Sequence, residues 1–260
     1  MNDPNNLYLI NLRYLFLGMF TILGLASILG FYLGSTLFRR KISLEIPEFI
    51  SATVLGFLSL MMAFTSSMVV ERYSYRKMLV LNEANAIAAT YTYSALLNSP
   101  HEKRIRELIK QYIASRIDFY RTGDDKQKIL EALNNSFVLQ KKLWEIATDI
   151  TKTNQSDVVA NYTTSLNSAF ELARNSAATL LITIPATIHY LNVTLAILGL
   201  FVIAFSRGVQ NLRWPPGMLI LIFLFSLVFT VLQDIDRPRS GSIQVGTRSL
   251  EYISKIINAN

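Results

Sequence analysis

The chain has 260 residues, of which 51% are apolar and only 17% are charged, and its mean hydropathy is +0.32. A soluble domain usually carries about a quarter charged residues, so this composition argues against one. The charges are also concentrated, because 27 of the 43 lie between Glu71 and Arg174. One polar block between two apolar blocks predicts a membrane protein with a water-exposed insert.

Composition and charge also exclude several classes of function. The net charge of +7 comes from scattered cations without a long basic run, so we expect no nucleic-acid partner. The absence of cysteine excludes disulfide bonds, thiolate metal sites and a cysteine nucleophile. His101 and His189 lie far apart and lack the spacing of metal ligands. We therefore expect no metal, no cofactor and no enzymatic activity.

Four stretches without a formal charge are long enough to cross the apolar layer of a bilayer, which is about 30 Å thick. We predict transmembrane helices at about 14–38, 49–70, 185–206 and 214–233. The first has a longer apolar run than a cleaved signal peptide, so we interpret it as a helix that stays in the membrane. The predicted fold is an all-α integral membrane protein, with a transmembrane hairpin in 1–70, a helical insert in 71–180, and a second hairpin with a short tail in 181–260.

The insert is predicted to be helical throughout. Ser99-Pro100-His101-Glu102 has the pattern of a capping box and should begin a helix. Three apolar stripes at helical spacing follow, at 105, 108, 109, 112, 113, 117 and 120, then at 129, 133, 137, 144 and 147, then at 159, 162, 166, 170, 173 and 177. Pro185 is expected to kink the helix that enters the third span. No glycine or proline interrupts residues 70–98, so the second span should continue into the insert as one long helix.

Small residues recur on one face of the second span, and bulky residues occupy its other faces. The small residues are Ala52, Gly56, Ser59, Ala63 and Ser66. Such a stripe commonly allows close packing of helices in lipid, which is the interpretation we favour. The alternative is a pore-lining face with hydroxyl groups for ions and constrictions at Phe57 or Phe64.

A few polar residues lie at the ends of the spans. His189 and Asn192 are one helical turn apart near the start of the third span, and we expect an interfacial histidine with satisfied hydrogen bonds. The fourth span ends in Asp234, Asp236 and Arg237, followed by Pro238 and Gly241. We expect an aspartate to pair with an arginine at the membrane surface. Acid/base catalysis by the two aspartates is the less favoured alternative, since no nucleophile accompanies them.

Two motifs resemble a known family. Glu71-Arg72-Tyr73 precedes a segment that contains Asn82, Glu83 and Asn85, and residues 234–241 follow the pattern Asp-x-Asp-Arg-Pro-x-x-Gly. Together with the order of two spans, a helical insert and two spans, these motifs resemble the bacterial and plant family labelled bestrophin-like. Glu83 is expected to be a solvated helix residue or, if it is buried, to need a cationic partner, for which Arg174 and Arg237 are the candidates.

The resemblance implies a function that the residue patterns alone do not. Bestrophins are pentameric anion channels with four spans in each subunit, so the resemblance implies a homo-oligomer that conducts anions passively across the cell (inner) membrane. The acidic calcium-binding cluster of animal bestrophins has no counterpart that we can match here, and calcium gating is not implied. A non-conducting membrane scaffold or sensor, whose insert binds a partner, is the alternative.

The orientation in the membrane stays open at the level of sequence. Four spans place the insert and both termini on one side and the loops 39–48 and 207–213 on the other. The dense cluster Arg39-Arg40-Lys41 favours cytoplasmic loops. The resemblance to bestrophins favours a cytoplasmic insert instead.

Overall fold

The computed structural model describes residues 10–40, 48–98 and 100–259, and among these residues it has eight helices and no strand. The helices are α1 (Leu12–Arg39), α2 (Glu48–Ser94), α3 (His101–Arg121), α4 (Lys126–Thr153), α5 (Asp157–Thr179), α6 (Ala186–Val209), α7 (Gly217–Asp236) and α8 (Arg248–Ala259). The chain divides into two compact units. The membrane unit comprises Met1–Arg72, Thr183–Arg237 and Gly241–Ile243, and the insert unit comprises Tyr73–Ile182, Pro238–Ser240 and Gln244–Asn260.

Four helices are long and apolar enough to cross a membrane. They are Leu12–Arg39, Phe49–Ser94, Ala186–Val209 and Gly217–Asp236. The predicted all-α class, with four transmembrane helices in two hairpins around a helical insert, is therefore confirmed. Helix α2 is continuous over 47 residues, and it runs from the second span into the insert without a break, as the absence of glycine and proline from residues 70–98 predicts. Its first part belongs to the membrane unit and the remainder to the insert unit.

Glycines bring α1 and α6 into backbone contact in the membrane unit. A Cβ atom added to Gly34 would overlap the carbonyl oxygen of Phe205, and one added to Gly208 would overlap the carbonyl oxygen of Phe31. Gly30 meets the carbonyl oxygen of Phe201 in the same way. Along this contact the residue numbers rise in the same direction in both helices, from Gly30 and Phe201 to Gly34 and Phe205, so α1 and α6 run parallel. Small residues permit this approach, which gains dispersion contacts that bulkier side chains would prevent in lipid.

The chain breaks rather than kinks before α6. Helix α5 ends at Thr179, and α6 begins only at Ala186, with Pro185 in the N-cap position. The expected kink at Pro185 is therefore wrong, because proline is stable at a helix start, where its missing N–H group leaves no hydrogen bond unmade. Arg76 donates through Nε to the carbonyl oxygen of Thr179, the last residue of α5, at 3.4 Å, and through Nη2 to the carbonyl oxygen of Ile182 in the following turn at 2.7 Å.

The core of the insert unit is built from α3, α4, α5, α8 and the second part of α2. The predicted inner faces of α3 and α5 are confirmed. Their central residues, from Ile105 to Ile117 and from Val159 to Ala173, are buried at helical spacing. Ser99 of the predicted capping box lies outside the described residues. Its expected partner, Glu102, pairs with Arg106 at 3.2 Å.

The predicted inner face of α4 is right for Ala147, which is buried, and wrong for two of its residues. Phe137, assigned to the core, is 65% exposed, and Trp144 is also exposed. The buried residues are Ala132, Ser136, Leu143, Ile146, Ala147 and Ile150. Apolar residues occur on two sides of this helix, so periodicity alone could not choose between them.

The tail contains a helix that the sequence pattern did not indicate. Leu250 and Ile257 of α8 are buried in the core of the insert unit. The buried hydroxyl of Tyr91 donates to the carbonyl oxygen of Ile257 at 3.3 Å, and Arg121 pairs with Glu251 at 2.8 Å. The residues after α7 therefore belong mainly to the insert unit rather than to a free tail.

We expect Gly208→Ala to destabilise the protein, because the new methyl group would overlap the backbone of α1. Overpacking of this kind typically lowers the free energy of unfolding by about 1–3 kcal/mol. Gly24→Ala is the matched control, since a Cβ there meets no atom within 4 Å. The measurement is the thermal midpoint in detergent, and equal midpoints for the two variants would contradict close α1–α6 packing.

The register of α4 gives a second prediction. Phe137→Gln should change the free energy of unfolding by no more than about 0.5 kcal/mol, because the side chain is solvent-exposed. Leu143→Gln should cost about 2–5 kcal/mol, because it removes a core side chain and buries an amide. Thermal melts followed by circular dichroism compare the two. A larger loss for Phe137→Gln would restore the sequence-based register.

Candidate functional site

The small-residue face of α2 is uncovered in the membrane unit. Ala52, Gly56, Ser59 and Ala63 are all exposed, Ser66 is half-buried, and a Cβ on Gly56 would meet no atom within 4 Å. Phe57 and Phe64 are also exposed, on another side of the helix. Helix α2 contacts the rest of the unit through a third side, which carries the buried residues Leu58, Met62, Thr65 and Val69. Among the described residues of one protomer, four of the five small residues of α2 are therefore exposed, whereas Gly30 and Gly34 of α1 are covered by α6.

Polar side chains join α2 to α6 inside the membrane unit. The Nδ2 atom of Asn192 donates to the hydroxyl of Thr65 at 2.8 Å, and that hydroxyl donates to the carbonyl of Met61. His189 is buried one turn earlier, with its ring edge-on to Phe229 at 6.1 Å between centroids. His189 is thus buried within the membrane unit, close to the start of α6.

Sequence reasoning missed Gln233. Its side chain is 0% exposed, and neither amide atom has a hydrogen-bond partner among the described residues. Leaving a buried polar group unsatisfied typically costs about 1–3 kcal/mol. The only signal in the sequence is that Gln233 carries an amide at the end of an apolar run, where the fourth predicted span ends.

A buried ion pair lies at the centre of the insert unit. Glu83 is 0% exposed, and both of its carboxylate oxygens are engaged. Arg116 donates through Nε to Oε1 and through Nη2 to Oε2, the latter at 3.3 Å, and the hydroxyl of Tyr120 donates to Oε2 at 3.0 Å. The partner is thus neither Arg174, which is exposed, nor Arg237, which belongs to the membrane unit. Arg116 was overlooked because it lies 33 residues along the chain on the inner face of α3.

The positive charge of Arg116 is stable over the physiological pH range. Burial alone lowers the pKa of Arg116, but the Glu83 carboxylate and its hydrogen bond outweigh burial, so the pKa is raised. Burial and the same carboxylate raise the pKa of Tyr120, which stays protonated and can donate. Burial raises the pKa of Tyr112 to about 12. The cluster is therefore suited to fixing helix positions rather than to transferring protons.

The other residues of the first family motif have mixed surroundings. Glu71, Asn82 and Asn85 are exposed on α2, and Arg72 is half-buried. Asn85 and Glu83 lie on different sides of the helix, as their spacing requires. Of this motif, only Glu83 forms a buried charged contact with a distant helix.

The second motif bonds to backbone groups. In the membrane unit, Asp236 Oδ2 accepts from the N–H of Ile184 at 2.9 Å, and Asp234 Oδ1 accepts from the N–H of Ser242 at 2.7 Å. Arg237 Nη2 donates to the carbonyl of Ile10 at 2.7 Å. The motif therefore anchors chain ends and loop backbone by charge-assisted hydrogen bonds, in addition to any pairing between its own charges.

Pro238 and Gly241 of the same motif shape the turn that follows α7. Gly241 has φ +140°, and a Cβ there would overlap the carboxylate of Asp234. Only glycine allows this approach. In the insert unit, Arg239 caps α3 by donating to the carbonyl of Phe119 at 3.0 Å, and burial lowers its pKa.

No three His, Asp or Glu side chains come together as a possible metal site within the part of the chain that the structure describes. The arrangement offers buried structural charges, an uncovered helix face and no nucleophile–base pair that we could identify. These features are typical of an ion permeation path or of a protein–protein contact surface rather than of a catalytic site.

Comparisons with known proteins agree on one family. The model of the Bestrophin-like domain matches residues 21–250. A bacterial bestrophin homologue from Klebsiella pneumoniae is 11% identical, with a TM-score of 0.69 over 96% of this chain and 98% of that chain. A single-substitution variant of that homologue gives 11% identity and a TM-score of 0.70, over 93% and 97% of the two chains. A structure described as a membrane protein gives 11% and 0.73, over 94% and 97%. These likenesses show the fold, and the curated proteins contain no significant match.

We expect Arg116→Leu to unfold the insert unit readily, because Glu83 would be left buried without a cation. Removing one partner of such a pair typically costs about 3–5 kcal/mol. The double variant Glu83→Gln, Arg116→Leu should recover much of the loss, because no orphan charge remains. Lys152→Ala is the control, since its pair with Asp149 is exposed and such pairs contribute about 0–1 kcal/mol. Thermal melts that show no recovery in the double variant would contradict this role.

Proposed function

Because the chain belongs to the bestrophin-like family, we propose that it is one subunit of an oligomeric channel that conducts anions passively across the cell (inner) membrane. Bestrophins, from which the family takes its name, are anion channels. The observation that carries the proposal is the uncovered small-residue face of α2, defined by Ala52, Gly56, Ser59, Ala63 and Ser66.

The chemistry of the α2 face differs from that of the other outward faces in the membrane unit. Exposed residues of α1 and α7, such as Leu29 and Leu224, are bulky and apolar, as suits contact with lipid. The α2 face carries methyl groups, a glycine and hydroxyl groups instead. If several subunits turn this face towards a common axis, the small side chains leave space for an ion path between the subunits.

In this arrangement an anion would pass along a path whose α2 wall carries no charge. Residues 49–70 contain no formal charge, so no fixed carboxylate repels an anion within the span. The chain as a whole carries +7, which raises the local concentration of anions near the protein. No catalytic residue is needed for such a function, and we propose none.

A second candidate has its own support in the insert unit. Helix α4 exposes Leu130, Phe137 and Trp144 at seven-residue spacing, with Val138 beside them. Exposed apolar stripes of this kind commonly bind other proteins. A non-conducting scaffold or sensor would use this surface for a partner, and the channel would not require it.

Anion flux into liposomes separates the two candidates. Purified protein should admit chloride faster than empty vesicles do, and absence of flux over a range of voltage, pH and calcium would favour the scaffold. Gly56→Leu should then leave the oligomer intact in size-exclusion chromatography and remove most of the flux, because the new side chain enters the path. Gly18→Leu is the matched control, because that glycine on α1 also has open space around it.

The same variant tests how the α2 face is used. If Gly56→Leu dissociates the oligomer, the face is a helix–helix contact between subunits, as small-residue stripes often are. A variant that assembles and conducts like Gly18→Leu would exclude this face as either a pore wall or a contact.

A further inference from the structure

One end of the membrane unit is defined by the parallel packing of α1 and α6. Gly34 lies against Phe205, and Gly208 lies against Phe31, so the two C-terminal ends emerge on the same side of the unit. Helix α1 ends at Arg39, and α6 ends at Val209. Both helices are apolar up to these ends, which places the following residues where an apolar bilayer interior gives way to headgroups.

Four exposed arginines lie at this end, and we call them the arginine end. They are Arg39, Arg40, Arg207 and Arg213. Within the described part of the chain, none of their guanidinium groups makes a hydrogen bond or an ion pair. Segment 41–48 adds Lys41, Glu45 and Glu48 in the sequence, so five cations stand against two acids, an excess of three positive charges.

The opposite end of the same unit is balanced. Arg13, Arg72 and Arg237 are matched there by Glu71, Asp234 and Asp236. Arg237 is moreover engaged with the carbonyl of Ile10. Among the described residues, the membrane unit therefore has one end where three cations are matched by three acids and another end where the exposed guanidinium groups form no bond.

The arginines are not needed to cap the helices that they follow. The last carbonyl oxygens of α1, on Thr36 and Phe38, accept from the backbone N–H of Arg40. The last carbonyl oxygens of α6, on Ser206 and Gly208, accept from the N–H of Gln210. At many helix C-termini a cationic side chain bonds to the last carbonyl oxygens, but here backbone N–H groups do so. The guanidinium groups are therefore free to bind an anion.

The surroundings match the boundary of a lipid leaflet. Phe38 and Leu212 expose apolar side chains next to Arg39 and Arg213. Trp214 follows Arg213 in the chain, and its Nε1 donates to the buried hydroxyl of Ser27 at 3.0 Å. The planar fork of an arginine binds phosphate through two parallel hydrogen bonds.

We propose that the arginine end binds the phosphate groups of anionic phospholipids in the leaflet that it faces. The apolar side chains beside the arginines contact the first carbons of the acyl chains. This binding does not depend on anion conduction, so it stands or fails separately from the channel proposed above.

The test compares lipid retention by native mass spectrometry of the full-length protein. Wild-type protein should keep phosphatidylglycerol in preference to phosphatidylcholine. Replacing all four arginines of the arginine end by glutamine should reduce that preference at least about tenfold, since each cation near a charged membrane surface contributes to binding. The matched control replaces four exposed cations of the insert unit by glutamine, namely Lys103, Arg104, Lys141 and Lys142.

Three outcomes would overturn the proposal. The first is equal retention of phosphatidylglycerol by the wild type and the fourfold variant, and the second is an equal loss of the preference in the control variant. The third is protection against thermal unfolding by inorganic phosphate as strong as that by phosphatidylglycerol, which would make a soluble anion the ligand.

If the fourfold variant does not fold, the pairs Arg39→Gln, Arg40→Gln and Arg207→Gln, Arg213→Gln are measured separately. Each double variant should lose part of the preference for phosphatidylglycerol over phosphatidylcholine. Retention by the wild type should also fall as the salt concentration rises, because exposed charges are screened.

Discussion

The close contact between α1 and α6 determines how the other membrane helices can be used. Gly30, Gly34 and Gly208 let two backbones meet, and a single added methyl group at any of them would overlap a carbonyl oxygen. In lipid there is little hydrophobic gain from bringing two apolar helices together, so packing of this kind supplies the association energy. The glycines of α1 are thus covered by α6, whereas most of the small residues of α2 are exposed within the described part of the protomer.

This division explains why two similar stripes have different roles. Both helices present small residues every three or four positions, and both would be described as packing motifs from the sequence. Helix α2 nevertheless contacts its unit through Leu58, Met62 and Val69. Its small face is thus available for a water-filled path or for another subunit, and the lipid-facing residues of the other helices are bulky. The contrast between the faces, rather than the stripe itself, supports the proposed channel.

The insert unit relies on a different interaction. Taking Glu83 and Arg116 out of water is expensive, and their mutual attraction compensates only when the geometry is good and the remaining hydrogen-bond sites are filled. Here Tyr120 fills one such site, and the carbonyl of Ala173 accepts a further bond from Arg116. One buried pair therefore connects α2, α3 and α5 and disfavours other registers among them, since any shift would leave a charge unpaired. The Asp-x-Asp-Arg-Pro-x-x-Gly motif serves a similar purpose, because its carboxylates and its first arginine bond to backbone groups that no helix satisfies.

The sequence by itself determined the helical class, the four spans, the unbroken α2 and the inner faces of α3 and α5. These follow from local properties of the sequence. The length of an uncharged run indicates a membrane span, and the period of an apolar stripe indicates the buried face of a helix. The tertiary structure alone decided that Glu83 pairs with Arg116, that α4 turns Phe137 outwards, that residues 248–259 form a helix on the insert unit, and that Gln233 is buried. The reason is that each of these depends on which segments meet. Helix α4 has apolar residues on two sides, and several arginines could have reached Glu83, so the choice lies in packing between residues distant in sequence, which no local pattern encodes.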